Sequence, residues 1–557
     1  MTSTHHLSFS RAAMATLLAT TLSAGIIGCS SSDGGVASTT IDGTVFASAV
    51  DGAACTIEDV NGNIIVDNIT TVAGDYSANI PDVNLTDPLV LVCNGGTYTN
   101  EADGSTNETA GMLAAYADAN TLAAGTGFHA TPDSTIMHQL IIQHQMTLAD
   151  AEAAFEAAFG YTPDNSIAPT DATAPDAGAT HEELLAGLHA ATFSQLALDL
   201  GLTAAEQFNL MLALAEDLSD GTLDGSNTTG IALSANIQNQ FTLAMMNFRD
   251  GGNDASGLDN SMIGILPFAQ TAITASYTVE YLKDTMGMME MEAMEGKSQF
   301  QVRITNNSDS TPATGLAVTL MPMMHMATMT HTSPVDNAGA CIPNATAGTY
   351  DCTVYYLMAS AMMDGSSMGY WDLKVMVAGE AAHFFPPVMM AMNGTAKATL
   401  KNNADQIYNM MMDVNEDRTY SLFKSDLTSN AITGHDFELF IAAKETMMSF
   451  PAVDEGTILN TNSIDELTLA LTFTAAPMTI EASTDPDFLD GTEVSATNTG
   501  NGYWTATGIT GLTNDIEGDI YIRMTINGTQ YTTDGIALTT GPTSVAKFTV
   551  TPSMPMP

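Results

Sequence analysis

Phe300-Gln301-Val302-Arg303-Ile304 alternates apolar and polar side chains without a break, which is the period of a strand with one face buried. The same alternation returns on its C-terminal side in Ala317 to Leu320, Tyr350 to Tyr356, Trp371 to Val377, Phe437 to Ala442, Leu467 to Phe473 and Ile520 to Ile526. These strands predict two β-sandwiches, over residues 276–400 and 401–557, dividing near residue 400. No repeat of solenoid or propeller length runs through them.

On the N-terminal side the period changes. Residues 108–275 carry helical patterning, with capping-box starts at Thr147 to Asp150 and Thr203 to Glu206 leading into AEAAFEAAFG and EQFNLMLALAEDL. A helical domain is expected there, and the Ala, Pro, Asp and Thr stretch from Pro163 to Thr180 reads as a mobile loop inside it. Before it, residues 40–107 give short strands separated by Asp-Gly, Asn-Gly and Gly-Gly turns. The order GTVFASAVDGAACTIEDVNGN then TTVAGDYSANI resembles the carboxypeptidase-regulatory-like sandwiches that serve as spacers in surface lipoproteins. The expected class is therefore α+β and multidomain: a small β-sandwich, a helical bundle and two further β-sandwiches.

The first 28 residues place Arg11 ahead of an apolar run from Ala12 to Ile27, closed by Gly28 and Cys29. That is the layout of a signal peptide, and its middle is too short to stay in a bilayer. Ile26-Ile27-Gly28-Cys29 resembles the bacterial lipobox, which implies acylation of Cys29. Residues 29–39, opening with Ser30 to Gly35, are a flexible tether, and several acyl chains on one cysteine anchor stably. By that resemblance, Ser30 after the cysteine points to the outer membrane, with the working part facing the periplasm or the cell surface. Cys55, Cys93, Cys341 and Cys352 are then four thiols in an oxidising compartment, and two disulfides are expected. Proximity favours Cys55 with Cys93 and Cys341 with Cys352.

Sixty-three acidic residues against 13 basic ones give a formal charge of -50, which excludes nucleic acid as a partner and makes cations the natural small ligands. Most of those carboxylates read as a solvated surface. Incidental Ca²⁺ is compatible with such a chain, although its Asp-Gly and Asn-Gly loops lack EF-hand spacing.

Methionine is the outlying residue. Twenty-one of the 36 fall between Met286 and Met412, in clusters. Twenty of them are Met286, Met288, Met289, Met291 and Met294; Met321, Met323, Met324, Met326 and Met329 with His325 and His331; Met358, Met362, Met363 and Met368; Met389, Met390 and Met392; and Met410 to Met412, while Met376 stands apart. Methionine fills irregular core gaps well. Adjacent strand residues point to opposite faces, however, so Met323 and Met324 cannot both be core. Thioether and imidazole together suit copper, Cu(I) above all, where thiols are oxidised.

Leu320-Met321-Pro322-Met323-Met324-His325-Met326, then Gly348-Thr349-Tyr350, Tyr355-Tyr356-Leu357-Met358 and Gly369-Tyr370-Trp371-Asp372-Leu373-Lys374-Val375, resemble the FixH/YtkA-like family over about residues 277–395. That resemblance implies an extracytoplasmic immunoglobulin-like sandwich associated with copper handling, with Met321, Met323, Met324, His325 and Met358 at the matching positions. The chain departs from the pattern in its longer turn, MASAMMDGSSMG, and in the Cys341 and Cys352 pair. The candidate copper ligands are Met321, Met323, Met324, His325, Met326, Met329, His331, Met358, Met362, Met363 and Met368.

His383 is a weaker candidate and reads as a strand-edge residue. His138, His144, His181 and His189 read as satisfied histidines of the bundle. Gly365-Ser366-Ser367-Met368-Gly369 matches a hydrolase pattern but lies between strands, without a placed histidine and acid. Haem, zinc-protease, P-loop and dinucleotide motifs are absent from the sequence. The sequence thus points to a non-enzymatic lipoprotein that binds copper for sequestration or transfer, with a copper donor or acceptor protein as partner. The alternative is a structural or adhesive surface lipoprotein whose methionines only pack.

Overall fold

The computed structural model describes residues 37–123, 127–282, 293–392, 394–409, 413–430, 434–461, 471–489, 491, 493–536 and 544–553. Cys29, the leader and most of the tether lie outside the described residues, as do Met286, Met288, Met289, Met291 and Met410 to Met412.

Chain folding starts with Ser38–Thr44 paired to Asp75–Pro81, beside a four-stranded sheet in the order Ile64–Thr70, Ala54–Asp59, Leu89–Asn94, Leu113–Ala117. Cys55 and Cys93 stand opposite each other in that ladder and are bonded. The last strand corrects the boundary expected at residue 107. Its Ala-rich sequence favours helix locally, but Ala114 and Ala115 are wholly buried, and small side chains let the helix Pro132–His138 lie close against them. Thr135 Oγ1 accepts from Ala114 N–H at 2.9 Å and Ser134 Oγ donates to Ala114 O at 2.8 Å, so the helix occupies the free edge of the sheet.

The helical region follows from its caps. Thr131, Thr147 and Thr180 each accept a backbone N–H three residues on, starting Pro132–His138, Leu148–Phe159 and His181–Asp199. With Glu206–Leu218 and Ile237–Asp250 they enclose Phe159, Phe193 and Phe241, whose ring centroids lie 4.7 to 5.6 Å apart. One continuous apolar core joins these helices to the first sandwich, from Ile57 and Leu91 to Phe155 and Phe241. His138 and His189 are buried in it, and His189 stacks on Tyr161 at 3.5 Å. Burial holds His138 down at about 4 and His189 at about 3. His144 and His181 are exposed instead, because each sits at a helix end rather than on an inward face.

The connection from Pro163 to Thr180, expected to be mobile, is pinned at its centre. Thr170 and Ala172 are buried. Gly187 permits the contact, since a Cβ there would meet Thr170 O at 1.9 Å.

Residues 271–384 form an immunoglobulin-like sandwich. Its five-stranded sheet runs Ile342–Pro343, Thr349–Tyr356, Gly296–Asn306, Tyr277–Leu282, Thr271–Ile273. The opposing sheet runs Thr330–Thr332, Val318–His325, Tyr370–Val377, Glu380–Phe384. Phe300, Val302 and Ile304 all face the interior, and Cys341 is bonded to Cys352. A second sandwich begins at Lys397–Asn409, and its interior is completed by Gly434–Ala443, Met478–Ser483 and Gly518–Ile526. Tyr355 stacks on Phe440 at 4.1 Å, and Thr332 N–H donates to Met447 O at 2.9 Å, joining the two. Toward the helices, Tyr370 and Phe385 enter the helical core and Asn239 Nδ2 donates to His383 O at 2.8 Å.

Candidate metal centre

Val318–His325 buries every second side chain, and its pleat decides where the candidate ligands go. Met324 faces the sandwich interior and is fully buried, whereas Met321 is 50% exposed and Met323 and His325 are half-buried on the opposite face. There His325 stacks on Tyr370 with centroids 4.9 Å apart, and burial lowers its pKa. The eleven residues are therefore not one site. Met329 is half-buried beyond the strand end, where its carbonyl accepts from Met326 N–H at 2.9 Å. Met362 and Met363 project from the expanded turn, Met363 with 92% of its surface exposed. Met326 and Met368 pack against the edge of the sandwich core.

Three of the eleven converge on the inner face. Met324 pairs in register with His331 on one neighbouring strand and with Trp371 on the other, so the three side chains share a face. His331 is buried, and its ring lies edge-on to Trp371 at 5.5 Å. Met358 closes the group from the opposing sheet's connection. Its carbonyl accepts from Trp371 Nε1–H at 3.1 Å, and its Sδ lies 3.2 Å from His331 Nε2. Gly369 closes the turn beside the strand end. A Cβ there would meet His325 O at 2.0 Å, and its φ of 129° favours glycine.

Protonation of His331 follows from its partners. Nδ1 lies 2.8 Å from Thr332 O, and a carbonyl oxygen can only accept, so Nδ1 carries the hydrogen. Burial first, and the charges of Lys444 and Lys397 after it, lower the ring's pKa against the opposing pull of that carbonyl. The ring is neutral at pH 7 and Nε2 presents a lone pair to a thioether. No proton lies between two soft donors in contact. Metal-ligating histidines are held in this way, by the other ring nitrogen donating to a carbonyl, and an imidazole with thioethers suits Cu(I). The residues fit a soft monovalent cation. Trp371 and the Thr332 carbonyl, which orient Met358 and His331, are the parts that the clusters of methionine did not disclose.

Among the described residues no three His, Cys, Asp or Glu side chains gather as a hard-cation site. His383 lies on the edge strand Glu380–Phe384, with Nδ1 3.0 and 3.1 Å from the two oxygens of the buried Asp372. Ser367 Oγ accepts from Gly369 N–H at 3.2 Å within its own turn.

The fold defines a multidomain assembly of sandwiches with a helical body. No family model matches the chain, and no curated protein matches it. Among solved structures, it is similar to FdeC, an Escherichia coli adhesin, at 11% identity over 51% of this chain and 66%, just under two thirds, of that one, with a TM-score of 0.15. A set of titin domains is similar at 5% identity over 47% of this chain and 95% of that one, with a TM-score of 0.10. Likenesses this loose carry no argument about what the chain does.

Proposed function

We propose that the chain is a non-enzymatic, extracytoplasmic lipoprotein, anchored at the outer membrane through Cys29, whose first immunoglobulin-like sandwich binds Cu(I) for sequestration or transfer. The observation that carries the reading is the contact of His331 Nε2 with Met358 Sδ at 3.2 Å, with Nδ1 committed to a carbonyl. Met324 lies beside this pair in register and is the third candidate ligand. The resemblance of the strand end around Met324 and of the Trp371 strand to FixH/YtkA-like domains belongs to the same reading. The disulfides Cys55 to Cys93 and Cys341 to Cys352 support a compartment outside the cytoplasm. No helix among the described residues is long and apolar enough to cross a membrane.

Anaerobic Cu(I) titration against a chromophoric chelator tests it. One equivalent should bind tightly to the protein, and Met358→Leu and His331→Gln should each weaken it at least tenfold, about 1.4 kcal/mol. Equal uptake by both variants and the parent would remove the site.

A second reading rests on Met324 being fully buried and on Met326, Met358 and Met368 packing against the same apolar core. On that reading the sulfurs only fill space, and the chain is a structural or adhesive scaffold. Cu(I) uptake that is absent altogether would favour it.

A further inference from the structure

The pinned loop meets the first sandwich through two carboxylates. Ala172 N–H donates to Glu101 Oε1 at 3.2 Å, and Ser48 Oγ donates to Asp171 Oδ2 at 3.3 Å. Asp171 also accepts from Thr173 N–H at 2.7 Å and Thr173 Oγ1 at 2.6 Å. A third segment closes over them, with Asn253 Nδ2 donating to Ala102 O at 2.7 Å and Ala255 N–H to Ala172 O at 2.8 Å.

Glu101 is only 2% exposed, and its second oxygen, Oε2, is buried without a hydrogen-bond partner. Burial and the charge of Asp171 push its carboxyl up to about 8, with the N–H groups of Ala172 and Ser48 pulling the other way. Among the described residues no Lys or Arg is paired with either carboxylate; Arg249, the cation on the neighbouring helix end, is paired with Asp254. Protonation removes the charge of Glu101 but leaves a buried O–H with no acceptor and Asp171 still negative. A hard cation satisfies both, because it takes carboxylate oxygens directly and fills its remaining positions with water and carbonyls.

We propose that Glu101 and Asp171 form a divalent-cation site, occupied by Ca²⁺, that clamps the Pro163 to Thr180 loop onto the first sandwich. Ca²⁺ suits it better than Mg²⁺, since a ligand set drawn from a sheet connection and a loop is irregular, and Mg²⁺ demands near-octahedral geometry. The site is independent of the copper reading.

The full chain, stripped with EGTA and held at neutral pH in physiological salt, is the material for the test. Ca²⁺ should raise its melting temperature by several degrees and slow protease cleavage within residues 163–180, with Mg²⁺ much weaker. Glu101→Gln and Asp171→Asn should each abolish both effects, while Asp67→Asn, an equal change of charge elsewhere, keeps them. Asp171→Asn lies in the loop and leaves the core side chain intact, so it reports even where Glu101→Gln disturbs folding. Undiminished Ca²⁺ effects in both variants would show diffuse screening of the acidic surface and overturn the site. No Ca²⁺ effect on the parent, with Glu101→Gln raising stability unaided, would overturn it in favour of a buried protonated acid.

Discussion

The two C-terminal sandwiches share an architecture and differ in the polar group each buries. In the second, Arg418 is wholly buried and donates from Nε to Asp405 Oδ1 at 3.0 Å, while Tyr420 and Tyr531 hydroxyls donate to Asp405 Oδ2 at 2.8 and 2.9 Å. Charge there is answered by charge and by hydroxyls. In the first, His331 is buried with one nitrogen on a carbonyl and the other against sulfur. The difference teaches what buried polarity means in such a fold. A buried charge met by hard partners holds the domain together, and on the proposed copper reading the lone pair of His331 that faces Met358 is where a ligand would bind.

The comparison can be broken most forcefully at Asp405. Asp405→Ala strands Arg418 in an apolar interior and should cost about 3 to 5 kcal/mol in denaturant unfolding, with Cu(I) uptake unchanged. If uptake falls as well, the two sandwiches are not separable in function.

Acid gives the next effect. The unfolded His331 protonates near 6.5, and its folded pKa lies below that. Its contribution to stability is full above about 6.5 and is lost as pH falls toward the lowered folded value, at up to about 1.4 kcal/mol per unit. Cu(I) competes with the same proton, so affinity should stay level below 6.5 and fall only at the lowered folded pKa. A decline that begins at or above 6.5 would mean an exposed imidazole.

Met324→Leu separates ligand from filler, because the exchange costs folding under about 1.5 kcal/mol. A severalfold loss of Cu(I) affinity would make Met324 a third donor; none would leave His331 and Met358 alone. The smallest effect is expected at Met363→Leu, within about 0.5 kcal/mol in stability and with no change in copper affinity. A loss there would move the site out to the turn.

The sandwiches were legible because one face of each strand is buried, as Phe300, Val302 and Ile304 show. The same pleat rule separated Met323 from Met324 in advance. It could not say which methionines meet, because Met358 reaches His331 from a connection 27 residues away. Leu113–Ala117 reads as helix since alanine gives a strand no signature, and tertiary packing overrode its propensity. His144 and His181 resembled their buried neighbours in everything except position at a helix end. Glu101 carried no signal at all: its surroundings come from Ser48, Asp171 and Ala172, brought near only by folding.

The bond from Thr332 N–H to Met447 O has a bearing on self-association. Thr330–Thr332 is the outermost member of its sheet, and a bare rim of backbone amides invites a strand from another molecule to add on. The adjoining sandwich already occupies part of that rim, so recruitment of a second chain there would first require the two modules to come apart.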